Sequence, residues 1–415
     1  MEARRIAFII SPGRAFGGSR VHVRDLAAAL VEQGHRVHVW ADGPRGWIES
    51  LRRRGVVVEP TKHLVASVDP IADARGVREL RRGLKAFAPH LVGLHGPKAG
   101  AVGRLAAKGL GAAVVYTPYR WPFGEGAGPR GAVMRAAERK LAPLADRIIS
   151  TCDHEFQLAR EAGVGTIAQL SRVHAGVPDV SPELRAIPSE APARLVVAAS
   201  LEEPTDPFTL LRALDVLRDR AWTLEWLGEG TLLPGARRLV QSLRFDDRCE
   251  FVGHHDDVAS RLAKASVLVL PTTSAGLPLS VLEGMRAGLP VVASAIGGIR
   301  EAVDAHTGRT VAPADPMALS RALAELIDDP ALRGRLGMAG RRRYEESFTF
   351  ARRLERTLDV YRSLVPMPPP TRAVPGQGMP STRSARARSL RADGRASAGD
   401  VSGVRFSRRP AAPKR

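Results

Sequence analysis

Between Arg5 and Trp40 the chain runs through an apolar stretch, a glycine-rich loop, an amphipathic stretch and a second apolar stretch. No other feature narrows the choice of fold as far. RIAFII (5–10) is strand-like, and GRAFGGSR follows it. From Val21 to Glu32, Val23, Leu26 and Leu30 recur at helical spacing. Gly34 ends that helix, and Arg36 to Trp40 forms the next strand. A strand, a helix and a strand within about 36 residues make one βαβ crossover, which joins parallel strands and puts the helix on a face of the sheet.

The same alternation continues. Further strands are expected at Val56–Val58, Leu91–Leu94, Ala113–Tyr116 and Arg147–Ser150, with helices at Arg75–Ala86 and Ala99–Lys108 between them. LRAIPSEAPAR, with Pro188 and Pro192, reads as a linker. A second series follows, with strands at Leu195–Ala199, Thr223–Leu227, Glu250–Val252, Val267–Leu270, Val291–Ala293 and Arg309–Val311. Helices separate these, and the stretches Pro316–Leu326, Ala331–Ser347 and Phe350–Leu364 close the ordered part. The expected fold class is α/β, with two tandem doubly wound Rossmann-like domains. The expected limits are 1–183 and 194–348, joined by a linker at 184–193, with a helix at 349–365 and a tail from 366 to 415. Ligands of open α/β sheets sit beyond the carboxyl ends of the strands, so the cleft between the domains is the expected site.

Composition removes several alternatives. Two cysteines, Cys152 and Cys249, form no disulfide framework and fit a reducing, cytoplasmic setting. No apolar run approaches a membrane span, and Ile6–Ile10 is too short for a signal peptide. The net charge is +19, and residues 366–415 hold 11 Lys/Arg against 2 Asp/Glu. That Pro/Ser/Arg-rich tail cannot bury enough surface to offset ordering, so it is expected to be disordered. A solvated tail is preferred to a nucleic-acid-binding one, and nucleic acid is not expected among the partners.

Three stretches carry chemistry. In GRAFGGSRVH, Gly17 and Gly18 lie between a strand and a helix, where free N–H groups and the helix dipole suit an anion. The pattern is not G-x-G-x-x-G, and a plain flexible loop is the alternative. In SAGLPLSVLEGMRAGLPVVAS, Gly276, Leu277 and Pro278 turn into a helix bearing one acid, Glu283. A carboxylate there can accept two hydrogen bonds from the vicinal hydroxyls of a ribose, or it is a surface Glu favoured by the dipole. In SAIGGIREAV, Gly297 and Gly298 are either a phosphate- or sugar-facing loop or a helix start with Glu301 in its first turn. P-loop, zinc-site, CxxC, GxSxG and DxD patterns are missing, so neither a cofactor nor a metal is expected.

Together these stretches resemble one family. GGSRVHVRDLAAALVEQGHRVHVW, LHGPKAGAVGRLAA, VVYTPYRWPF, ADRIISTCDHEFQLAREAGV, GLPLSVLEGMRAGLPVVASAIGGIRE and AELIDDPALRGRLGMAGRRRYEESFTF span roughly 5 to 362. They are similar to the retaining nucleotide-sugar-dependent glycosyltransferases of the two-Rossmann-domain (GT-B) type, the group of glycogen synthases and bacterial mannosyl- and glucosyltransferases. The resemblance implies an acceptor-binding first domain, a donor-binding second domain and a last helix that crosses back. It implies a nucleotide-sugar donor and a glycan, lipid-linked or small-molecule acceptor. Glu283 takes the place of the ribose anchor, Gly17 and Gly18 lie by the diphosphate, and Gly276, Leu277, Pro278, Leu279 and Ser280 line the donor site.

The departures from the pattern are as specific. Ala275 stands where the family has a second Glu, Ser200 and Thr205 where it has a diphosphate-gripping Arg and Lys, and Tyr119 where it has a His beside the reacting sugar. Losing the two cations without replacement would cost on the order of 3–6 kcal/mol of leaving-group stabilisation. Arg14, Arg20, Lys98 and Arg120 are the candidate replacements, with His95 a further contact. The competing reading is a catalytically impaired protein of this fold that binds a nucleotide, a glycan or a partner enzyme. Gly128 to Arg147, with Arg130, Arg135, Arg139 and Lys140, is either a solvated helix face or a peripheral contact with anionic membrane.

Overall fold

The computed structural model describes residues 3–12, 17–124, 128–188, 192–255 and 257–367. Arg14 and the tail from 368 onward lie outside them. The first sheet contains β1 (Arg5–Ile10), β2 (Arg36–Trp40), β3 (Val57–Glu59), β4 (Leu91–His95), β5 (Ala113–Thr117), β6 (Arg147–Ser150) and β7 (Leu170–Arg172). Their order is β3-β2-β1-β4-β5-β6-β7, with Ile6 beside Val37 on one side and Leu91 on the other. The second sheet contains β8 (Ala193–Ala198), β9 (Trp222–Leu227), β10 (Cys249–Gly253), β11 (Val267–Leu270), β12 (Val291–Ser294) and β13 (Gly308–Val311), in the order β10-β9-β8-β11-β12-β13. Strand order reverses between β1 and β4 and again between β8 and β11, which are the switch points where such sheets open a crevice.

Helices cover both faces of each sheet, so the central strands are apolar throughout: every residue of Ile6–Ile10 is at most 1% exposed. Many helices start on a local signal. Asp69, Asp206, Asp315 and Asp329 each cap a helix whose first residue is proline, their side chains accepting N–H bonds from the first turn. Gly288, left-handed at φ 82°, ends the helix Leu279–Ala287.

The helix Phe350–Arg362 packs Leu358 and Tyr361 into the cluster under β1, so it belongs to the first domain's core although it follows the second. The Pro366 carbonyl accepts from Arg4 Nε at 2.7 Å and Met367 is buried in the same cluster. Order therefore runs past the expected start of the tail at 366, because Met367 has an apolar site to fill. Pattern reading also missed β7 and the helices Arg45–Arg52 and Asp153–Glu161, which are too short to show a clear period. The helix Arg130–Leu141 buries only Gly131 and Glu138 and leaves Val133 65% exposed. Among the described residues no helix is long and apolar enough to cross a membrane.

Candidate active site at the cleft

The carboxyl ends of the two sheets meet. A methyl group on Gly18 would lie 3.2 Å from Leu279 Cγ, one on Gly276 2.5 Å from the Tyr119 carbonyl oxygen, and one on Gly298 2.8 Å from Cys152 Cβ. These glycines are thus sites of close approach between domains. Arg120 donates to Ser274 Oγ at 2.7 Å across the same boundary. The turn that carries Tyr119 and Arg120 is held from below by Glu155, whose Oε2 accepts the Trp121 N–H at 2.7 Å. Tyr119 itself sits in the left-handed region, at φ 64°.

Gly17 is the N-cap of the helix Gly18–Glu32, which has neither a side-chain cap nor an acid in its first turn. The Arg20 N–H donates to the Gly17 carbonyl at 3.0 Å, and among the described residues no side chain caps the N–H groups of Gly18 and Ser19, so these can serve an anion in the cleft. Opposite, Pro278 is the N-cap of Leu279–Ala287, and Glu283 is the fifth residue of that helix, in its second turn. The first-turn dipole explanation for Glu283 is correspondingly weakened. Glu283 is half-buried, and its carboxylate has no hydrogen-bond partner among the described residues. Burial pushes its pKa above the usual carboxylate range, with Arg286 and Arg24 pulling the other way and Asp25 adding to the rise. A carboxylate kept half-dry without a partner is poised to accept hydrogen bonds from a ligand.

The candidate cations fare unequally. Arg20 is buried and donates to the Asp42 carbonyl at 3.0 Å, beside Trp47. Lys98 donates to the Ser67 carbonyl at 2.6 Å and pairs with Asp73. Both make contacts within the first domain, whereas Arg120 reaches the second. Arg120 is exposed and reaches the loop that leads from β11 to Glu283. Thr205 bridges to Thr272, and Gly228 lies against the Ala199–Ser200 backbone. Gly298 spends its N–H on the Gly276 carbonyl at 3.0 Å, and Gly297 backs onto the Ala275 carbonyl. This pair packs against the donor-side loop.

Glu301 also has a role that its place in a helix start did not show. Its carboxylate accepts the N–H groups of Asp153 and His154 at 2.7 and 2.6 Å, capping a helix of the other domain. Burial alone would raise its pKa, but the His174 contact and those two N–H bonds outweigh it and hold the carboxyl low. Asp153, His174 and Glu301 bring ligand-type atoms within 4.8 Å of one another. Arg172 pairs with Asp153 at 2.7 Å, and His174 lies 3.6 and 3.7 Å from the Asp153 and Glu301 carboxylates.

A second polar group lies behind the cleft, where the sequence offered His95 and Tyr119. His95 Nδ1 is 3.0 Å from the Tyr119 hydroxyl, and the His22 ring lies 5.7 Å from His95 and 5.4 Å from Tyr119. Arg353, 4% exposed, enters from the helix Phe350–Arg362. Burial draws Arg353 down to about 10, and burial with Arg353 draws His95 down to about 3. Burial pushes the Tyr119 phenol up, against Arg353. Arg353 falls on the buried face that Thr357 and Tyr361 share, at steps of four residues, and that was the only sequence signal for it.

Two Rossmann-like domains that meet at their strand ends, an uncapped helix start and an unpartnered carboxylate facing it define a GT-B-type glycosyltransferase scaffold. Two family descriptions match the chain: "Glycosyl transferase 4-like domain" over residues 17–176 and "Glycosyl transferases group 1" over 192–329. The chain is 32% identical over 392 residues to the D-inositol 3-phosphate glycosyltransferase of Streptomyces avermitilis, covering 83% of this chain and 82% of that one. It is 29% identical over 388 residues to the glycogen synthase of Mycobacterium tuberculosis, covering 84% and 92%. The chain belongs to the group 1 glycosyltransferases. Among solved structures, Anabaena HepE in complex with UDP and glucose superposes with a TM-score of 0.73 at 16% identity, covering 87% of this chain and all of that one (100%). Sucrose-phosphate synthase from Thermosynechococcus elongatus gives 0.74 at 21%, covering 87% and 99%. At those identities the two structures speak for the fold.

Proposed function

We propose that this protein moves a sugar from a nucleoside diphosphate donor to a hydroxyl-bearing acceptor with retention of configuration, and that it does so without a metal. The observation that carries this reading is Glu283: half-buried, unpartnered, and on the second domain's face of the cleft. Its oxygens accept the ribose hydroxyls. The diphosphate lies toward the uncapped helix start at Gly17 and Gly18, whose N–H groups share its charge. Arg120 supplies a cation to the leaving group from the first domain, where the family pattern takes an Arg and a Lys from the second. Leaving-group stabilisation then depends on the domains being closed, because Arg120 reaches Ser274 only across their boundary.

Acceptors belong to the first domain, and their class is open to glycans, phosphorylated polyols and lipid-linked sugars. The relatives named for inositol 3-phosphate and for glycogen both fall in that range. The test is calorimetric titration with UDP, GDP and ADP, then with their sugar conjugates, in EDTA. Binding of one nucleotide, weakened by Glu283→Gln, supports the donor site. The anomeric coupling of the product, read by NMR, reports retention or inversion. No binding of any nucleotide at millimolar concentration overturns the reading and leaves the partner-binding alternative.

A further inference from the structure

The polar group behind Tyr119 has no part in donor recognition as set out above, and it is chemically unfinished. Arg353 Nε, His95 Nε2 and His22 Nδ1 are all buried, and none has a hydrogen-bond partner among the described residues. Arg353, His95 and His22 are 4%, 1% and 6% exposed. Arg353 pairs with no carboxylate among the described residues; the acid within its electrostatic reach, Asp25, is already held by Arg24 Nε at 2.8 Å. A buried guanidinium without a counter-ion is expensive, and folds rarely keep one unless an anion is supplied to it.

The topology puts these groups in one place. Leu91, Gly93 and His95 alternate along β4 and share the face that packs under the helices Gly18–Glu32 and Phe350–Arg362. Gly93 makes room for this, since a methyl there would lie 2.6 Å from Phe8 and 3.1 Å from His95 Nε2. His22 comes from the first of those helices and Arg353 from the start of the second. Tyr119 closes the group at the end of β5, and its backbone is the piece that touches Gly276 across the cleft. Arg353 acts electrostatically on His22, His95, Tyr119 and Tyr361 alike. When the Tyr119 hydroxyl donates to His95 Nδ1, His95 Nε2 carries a proton and is a second unmet donor beside the guanidinium.

We propose that Arg353, His22, His95 and Tyr119 form an oxyanion subsite in the first domain that takes a phosphate or carboxylate group carried by the acceptor. A guanidinium with neutral imidazole N–H donors suits such an oxyanion, which supplies several acceptor atoms to one charge. Tyr119 then links the subsite to the cleft, since its hydroxyl faces the subsite while its carbonyl faces the donor-side loop. This deepens the reading of the first domain as the acceptor side.

The test uses the full chain held in saturating nucleoside diphosphate, which removes the donor site from competition. Inorganic phosphate and acetate are titrated separately by calorimetry and by thermal shift, against wild type, Arg353→Leu and Arg353→Lys. The expected result is binding by wild type that falls at least tenfold in Arg353→Leu and partly returns in Arg353→Lys. Which anion binds identifies the acceptor group. The anion should also raise the wild-type melting temperature and leave that of Arg353→Leu unmoved. Apo Arg353→Leu should melt no lower than wild type, because it removes an uncompensated buried charge. Equal affinity in wild type and Arg353→Leu overturns the proposal, as does failure of both anions to bind wild type. If Arg353→Leu loses stability while Arg353→Lys binds anion no better than Arg353→Leu does, Arg353 belongs to the fold instead, and the proposal is likewise overturned. Failure of the nucleotides to bind is a separate result: it removes the donor reading, while the phosphate and acetate titrations still report on Arg353.

Discussion

Replacing Glu283 with glutamine separates what the protein gives up in stability from what it gains in binding. The carboxylate is half-buried without a partner, and its pKa is raised chiefly by burial. An acid whose pKa is higher in the folded chain holds its proton more tightly there. Its contribution to stability is therefore full below the ordinary carboxylate pKa and is lost as pH rises through the raised value. Glu283→Gln removes that penalty, so the variant should melt above wild type at pH 7.5 and match it near pH 4. Nucleotide binding should move the other way. Hydrogen bonds to a charged acceptor are worth about 1.5–3 kcal/mol each, and glutamine keeps one acceptor oxygen but no charge. The expected loss is roughly one to two orders of magnitude in affinity. Calorimetry with the ribonucleotide and its 2′-deoxy form closes the argument: deoxygenation should weaken wild type strongly and Glu283→Gln little. Equal affinity of the two proteins for the ribonucleotide, or equal sensitivity of both to the missing hydroxyl, would refute the ribose assignment.

Three further outcomes follow from the same geometry. Gly276→Ala sets a methyl group 2.5 Å from the Tyr119 carbonyl, so it should open the domains, visible as a larger radius in solution scattering, and lower turnover at least tenfold with little change in nucleotide affinity. Glu138→Ala strands Arg104, which is fully buried and donates to Glu138 at 2.6 Å; the loss should be about 3–5 kcal/mol by urea unfolding. Glu301 is held below its usual pKa, so its cap on the helix Asp153–Glu161 is intact above the ordinary carboxylate pKa and is lost as pH falls through the lower one; acid-induced exchange at the Asp153 and His154 amides should disappear as a distinct step in Glu301→Gln.

The chain's own pattern was enough for everything that depends on neighbours in sequence. Apolar runs and helical stripes placed all six strands of the second sheet, and its central strand Val267–Leu270 is apolar along its whole length because both of its faces are covered. The Asp-Pro helix starts, the Gly288 stop and the lone acid Glu283 are likewise local facts. What the sequence could not decide is which cation is free. Arg20, Lys98 and Arg120 look alike as letters, but the first two donate to the Asp42 and Ser67 carbonyls of their own domain and the third donates across the cleft to Ser274. Arg353 lies more than 230 residues from Tyr119 in the chain and meets it only because the last helix returns to the first domain. Glu301 and the Asp153 amide are 148 residues apart and become a cap and its helix only because the two domains meet. Such pairings rest on distance in space, and distance in space is set by the packing of the two sheets, which no local pattern records.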